Sequence, residues 1–170
     1  MGLVDKRGYR LFSRDRGHKV GGGACLYVKS HLWAQEVATY TSPDIELLWV
    51  TIQLSDVGHG LLVGCIYRPP SSGVDYWHKL DNTQEGAEEE EIMLLGDLNV
   101  DFLRKTIYSY RHLLDAILFP LNLSSYIDSA ARFSTHGSSS FDTVLSNTKR
   151  LQSGSFLDTN FSDHCLVTAV

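Results

Sequence analysis

The sequence predicts a single sheet-rich α/β or α+β domain, because it holds many short apolar runs bounded by turn signals and few stretches of helical period. The strand-like runs are Ala24 to Val28, Glu46 to Leu54, Leu61 to Tyr67, Ile92 to Leu95 and the closing Cys165 to Val170. Several are apolar at successive positions, as in strands buried on both faces. Gly21-Gly22-Gly23 before the first run reads as a tight turn rather than a phosphate loop, since no GK[ST] follows and strand residues come next.

Helical period is clear in one place. Tyr110, Leu113, Leu114, Ile117 and Leu118 fall on one helix face, and Pro120 ends the pattern. A shorter helix is expected from about Asp75 to Leu80. Gln84 to Glu91 carries five acidic residues and reads as a solvated loop or helix end. The Ser/Gly-rich stretch from Ser134 to Ser140 reads as a surface loop.

Bulk properties narrow the class. With 170 residues and 43% hydrophobic content, the chain has enough for one domain, spanning residues 1–170, and too little to argue for two. A net charge of -5 argues against a grip on nucleic acid by bulk electrostatics, so any such contact is local or helped by metal ions. Cys25, Cys65 and Cys165 form no CxxC pair and lie in or beside apolar runs. They read as buried thiols of a reducing compartment. No apolar run nears the ~18 residues of a membrane span, and no signal-peptide core is present. The expectation is a soluble intracellular protein, nuclear or cytoplasmic.

Polar groups recur where strand-like runs hand over to loops, the usual place for functional side chains. Tyr67 ends LLVGCIY and is followed by Arg68-Pro69-Pro70; Asp97 and Asn99 follow IMLLG; Asp142 opens the run FDTVLS; Asp163 and His164 precede the final run. A carboxylate at Asp97 can orient or deprotonate water, and the Asn99 amide can hydrogen-bond a phosphate oxygen. An Asx turn at the end of a strand explains the same tetrapeptide. Asp163 is a hard oxygen ligand suited to magnesium. His164 needs a carboxylate to fix its tautomer, and Asp142 is the candidate partner. Tyr67 can donate its phenol to a phosphate oxygen or simply pack. His18, His31, His59, His78 and His112 lack matching partners, while His136 sits in the Ser/Gly loop. Arg10, Arg14, Arg16 and Lys19 form a solvated edge or a phosphate contact.

These residues resemble the endonuclease/exonuclease/phosphatase superfamily, with its DNase I-like fold, and most of all the endonuclease domain of non-LTR (LINE-like) retrotransposons. The matching stretches are GYRLFSRDR (8–16), GGGACLYVK (21–29), ELLWVTI (46–52), IYRPPSS (66–72), LLGDLNVDF (94–102), SSSFDTVLSN (138–147) and SDHCLV (162–167), in the family's order. The resemblance implies a two-sheet α/β sandwich flanked by helices and magnesium-dependent hydrolysis of DNA phosphodiesters, with manganese as an alternative metal. It implies catalytic roles for Tyr67, Asp97, Asn99, Asp142 and His164. It assigns metal binding to Asp97 and Asp163, and substrate contact to Tyr67, Asn99 and Arg68. The implied partners are DNA and a reverse transcriptase domain of a parent polyprotein, outside this chain, with no membrane.

One departure stands out. The family's first strand-helix-strand unit, carrying a catalytic Asn and a metal-binding Glu, has no counterpart before GYRLF; Glu36 and Glu46 come too late in the order to replace that Glu. With too few carboxylates a hard cation binds weakly and activates water poorly. The expectation is a domain incomplete at its N-terminus with little or no nuclease activity of its own. A phosphatase of the same superfamily and an inactive remnant serving as a binding module are the alternatives.

Overall fold

The computed structural model describes residues 5–15, 23–40, 42–54, 60–83, 87, 90–102, 110–127, 132–134, 137–149, 151, 154–157 and 164–169. In chain order the elements are β1 (Tyr9–Arg14), β2 (Ala24–Lys29), β3 (Trp33–Glu36), a 3-10 turn (Ala38–Tyr40), β4 (Glu46–Gln53), β5 (Leu61–Tyr67), α1 (Val74–Asn82) and β6 (Glu91–Asp97). There follow α2 (Arg111–Leu118), β7 (Ser124–Ser125), β8 (Arg132–Ser134), β9 (Gly137–Ser139), β10 (Asp142–Ser146), β11 (Gly154–Leu157) and β12 (Leu166–Ala169).

Six strands form one sheet in the order β3-β4-β5-β6-β10-β7. β5 and β6 are parallel and joined by the α1 crossover; the other neighbours are antiparallel. β1 pairs with β2, β8 with β9 and β11 with β12.

Both faces of the large sheet are buried, which is why its central strands read as near-continuous apolar runs. On one face Leu47, Trp49, Leu62, Ile66, Ile92, Leu94 and Leu145 meet Trp77 and Leu80 of α1 and Leu114, Ile117 and Leu118 of α2. Each fully buried Leu or Ile here contributes about 1.5–3 kcal/mol. Gly64 leaves room for the Trp49 ring, which a Cβ at that position would strike. On the other face Leu48, Val50, Ile52, Leu61 and Val63 pack against Ala24 and Val28 of β2 and Ala34 of β3. The layers are therefore helices, a six-stranded sheet, and a second layer that includes the β1–β2 pair: the DNase I-like α/β sandwich expected from the sequence.

The helix over the Tyr110 stripe forms with its apolar face inward, and its exposed side carries the Arg111–Asp115 ion pair at 2.7 Å. Two expectations are corrected. The Ser134–Ser140 stretch is not a plain loop, because β8 and β9 pair across it. Nor are the three cysteines uniformly buried: Cys25 is exposed, and Cys65 and Cys165 are half-buried. Cys25 stands on an outward position of β2, where alternation turns side chains away from the layer below. Most of the Gln84–Glu91 acidic stretch, and His18, His59 and His136, lie outside the described residues. Among the described residues no helix is long and apolar enough to cross a membrane.

Candidate active site

Strand register brings the sequence's scattered polar positions into one line. Glu46 pairs with Tyr67 across β4 and β5, Tyr67 with Asp97 across β5 and β6, and Asp97 with Asp142 across β6 and β10. Side chains alternate along a strand, so these four share the face that carries Leu48, Val50, Val63, Cys65 and Leu95. The row runs across one end of the sheet, and its members are half-buried.

His164 joins the row from the segment before β12. Its Nδ1 lies 2.5 Å from Oδ2 of Asp142, with 30% of the imidazole and 20% of the carboxylate exposed. This contact fixes the ring's orientation and its tautomer. Asp97, Asp142 and His164 each offer a ligand atom within 4.8 Å of the others. Asp163 lies outside the described residues.

The segment after β6 is shaped by a glycine and a turn. Gly96 has φ +139, and a Cβ there would sit on the Ile66 carbonyl oxygen, so this position in the ladder takes only glycine. Asp97 Oδ1 then accepts the Asn99 N–H at 2.8 Å, closing an Asx turn that holds Asn99 at φ 48. Asn99 Nδ2 donates to the Arg68 carbonyl at 2.7 Å. The turn, not an extended strand, sets how the Asp97 and Asn99 side chains stand to one another. Leu98 N–H donates to Phe141 O at 3.2 Å, tying this turn to the entry of β10 and hence to Asp142.

Arg68 is placed differently from the substrate contact expected of it. Its side chain is 1% exposed and folded beneath the strand ends, where the guanidinium lies over Trp77 and Tyr110. Aromatic faces from both helices draw the cation inward. His31, His78 and His112 are exposed. Arg10 donates to the carbonyls of Leu32 and Ala34, bracing β1 against the turn before β3.

Glu46, too late in sequence order to replace the family's metal-binding Glu, nonetheless completes the row. Its Oε2 accepts the Gly23 N–H at 2.8 Å. It also borders a cavity of about 430 Å³ lined by Arg14, Asp44, Ser71, Ser72 and Tyr76 among others. The ELLWVTI stretch contains Glu46, but only strand pairing reveals it as a neighbour of Tyr67.

No family model and no curated protein matches the chain. Solved structures do. The endonuclease domain of TRAS1, a telomere-specific non-LTR retrotransposon, superposes with a TM-score of 0.73 at 16% identity, over 94% of this chain and 78% of that one. The AP endonuclease LMAP from Leishmania major gives 0.73 at 13% identity, over 96% and 70%. A mannosyl-6-phosphatase from Bacteroides thetaiotaomicron gives 0.60 at 14% identity, over 96% and 78%. With two nucleases and a phosphatase laid over nearly its whole length, this chain has the DNase I-like fold of the endonuclease/exonuclease/phosphatase superfamily.

Proposed function

We propose that the Asp97, Asp142 and His164 cluster is the catalytic centre of a metal-dependent hydrolase that cleaves phosphodiesters in DNA. The observation that carries this reading is the 2.5 Å Asp142–His164 contact beside Asp97, with all three groups within 4.8 Å. In this reading Asp142 holds His164 so that its other ring nitrogen faces the attacked phosphate, where it stabilises developing charge or moves a proton. Asp97 takes the proton of the attacking water. Tyr67, its neighbour in register, donates to a non-bridging oxygen, and Asn99 supports the phosphate from the turn.

The donor set fits a hard divalent cation: Asp97 offers carboxylate oxygen, and the Asp142 carboxylate is already engaged by an imidazole. Asp97 would hold magnesium or manganese together with Asp163. When bound, the cation neutralises phosphate charge and makes water a better nucleophile. With few carboxylates committed to it, its affinity is low and turnover slow.

DNA is favoured as substrate by the nuclease neighbours and by the motifs around Tyr67 and Asp142. The phosphatase neighbour supports a second reading in which the same cluster removes a terminal phosphate. Purified protein given supercoiled plasmid and, separately, a phosphomonoester separates the two. Nicked circles without released inorganic phosphate support the first reading; inorganic phosphate without nicking supports the second.

A further inference from the structure

The strongest unexplained feature is a buried arginine. Arginine is among the residues least often fully buried, and removing its charge from water costs several kcal/mol unless partners offset it. Arg68 is nonetheless 1% exposed. Among the described residues no carboxylate forms an ion pair with it, and its Nε–H is buried without a partner. Three ring faces surround the guanidinium, those of Tyr110 at 4.7 Å, Trp77 at 4.9 Å and Tyr76 at 5.8 Å. Nη1 donates to Leu98 O at 3.4 Å and Nη2 to Ser72 O at 2.5 Å.

The backbone of the same residue makes two further contacts with the catalytic turn. Its N–H donates to Asp97 O at 2.8 Å, and its carbonyl accepts from Asn99 Nδ2 at 2.7 Å. One residue thus grips the backbone of Asp97 and Leu98 and the side chain of Asn99, the Ser72 end of the loop lining the 430 Å³ cavity, and aromatic rings from α1 and the N-cap of α2. A methionine or leucine would fill this space at lower desolvation cost. Packing alone therefore does not account for a charged fork here.

We infer that Arg68 is a positioning residue for the phosphodiester chemistry, acting from beneath the site through the Asp97–Asn99 turn and the Ser71–Ser72 loop. The inference rests on the phosphodiesterase reading above. The fork holds two carbonyls from separate loops at once, and the helix rings fix the fork. The catalytic turn thereby takes its position from the helical layer as well as from the sheet.

The test compares wild type with Arg68→Met and Arg68→Lys in two measurements. The first is nuclear magnetic resonance of the Asn99 side-chain amide and its proton exchange; the second is magnesium-dependent plasmid nicking, resolved into kcat and KM. Arg68→Met is expected to stay folded, with Asn99 exchange several-fold faster. Its kcat falls about 100-fold while KM changes little, the cost of a displacement near 1 Å. Lysine keeps the charge without the fork and recovers part of the loss. A folded Arg68→Met with wild-type Asn99 exchange overturns the inference. Should methionine prevent folding, Arg68→Lys decides: wild-type exchange in that variant overturns it equally. Absence of nicking by the wild type counts against the phosphodiesterase reading alone, because the exchange comparison stands without turnover.

Discussion

The imidazole Nδ1 of His164 lies 2.5 Å from Oδ2 of Asp142, although Asp142 opens β10 of the six-stranded sheet and His164 lies just before β12 of a separate strand pair. The contact orients the ring beside Asp97, Asp142's partner in register. In Asp142→Asn an amide can no longer accept the Nδ1 proton from every orientation, and the tautomer is released. The expected loss in nicking rate is on the order of 1,000-fold. Both groups are partly exposed, so stability should change by less than about 1 kcal/mol. Rate and urea midpoint, measured on one preparation, check both halves.

Gly96 gives a prediction independent of any activity. Gly96→Ala combines a positive φ with a Cβ on the Ile66 carbonyl oxygen, so the β5–β6 ladder must part at Asp97. The expected destabilisation is about 3 kcal/mol. Urea denaturation measures it. A variant as stable as wild type would mean that the end of β6 is not held as described.

Much of this architecture was legible because its cause is local. LLVGCIY reads as a strand buried on both faces and is one, since the sheet has a layer on each side. The Tyr110–Leu118 stripe reads as a helix because its apolar face meets α1 and the sheet. Asp142 and His164 could be matched by chemistry alone. Arg68 could not: its inward turn depends on rings from two helices that the sequence keeps apart. Glu46 was missed for a similar reason, since its place beside Tyr67 exists only in the register. The β8–β9 pair hid in Ser and Gly, whose weak strand preference is overridden by pairing.

Stability should fall on the alkaline side. Burial pushes the Cys65 thiol and the Tyr76 phenol above their ordinary ranges; the Tyr76 hydroxyl also donates to Tyr67 O at 3.3 Å. A raised folded-state pKa means the folded protein holds its proton more tightly than the unfolded chain. The stabilisation is thus complete below the unfolded pKa and is lost as pH rises through the folded one. The window opens near the ordinary thiol and phenol values, about 8.5 and 10, and extends upward. Urea midpoints across this range should decline, and Tyr76→Phe should flatten the phenol part of the decline. An unchanged slope in Tyr76→Phe would remove Tyr76 from the account.

Metal should bind weakly and at one end of the sheet. Magnesium alone, titrated into the protein, is expected to shift the amide signals of Leu98 and Asn99 with saturation only at millimolar concentration. Asp97→Asn should weaken this at least about tenfold, since a neutral amide replaces a hard anionic ligand. Chelation of the metal should stop nicking. Shifts that persist unchanged in Asp97→Asn would place the cation elsewhere.

The most direct measurement is the rate at which wild type, Asp142→Asn and His164→Ala nick supercoiled plasmid, with magnesium and after its chelation. The wild type is expected to nick slowly and only with the metal, and both variants to lose nicking while they remain folded. Nicking at the wild-type rate in either variant, or no metal-dependent nicking by the wild type, would contradict the phosphodiesterase reading.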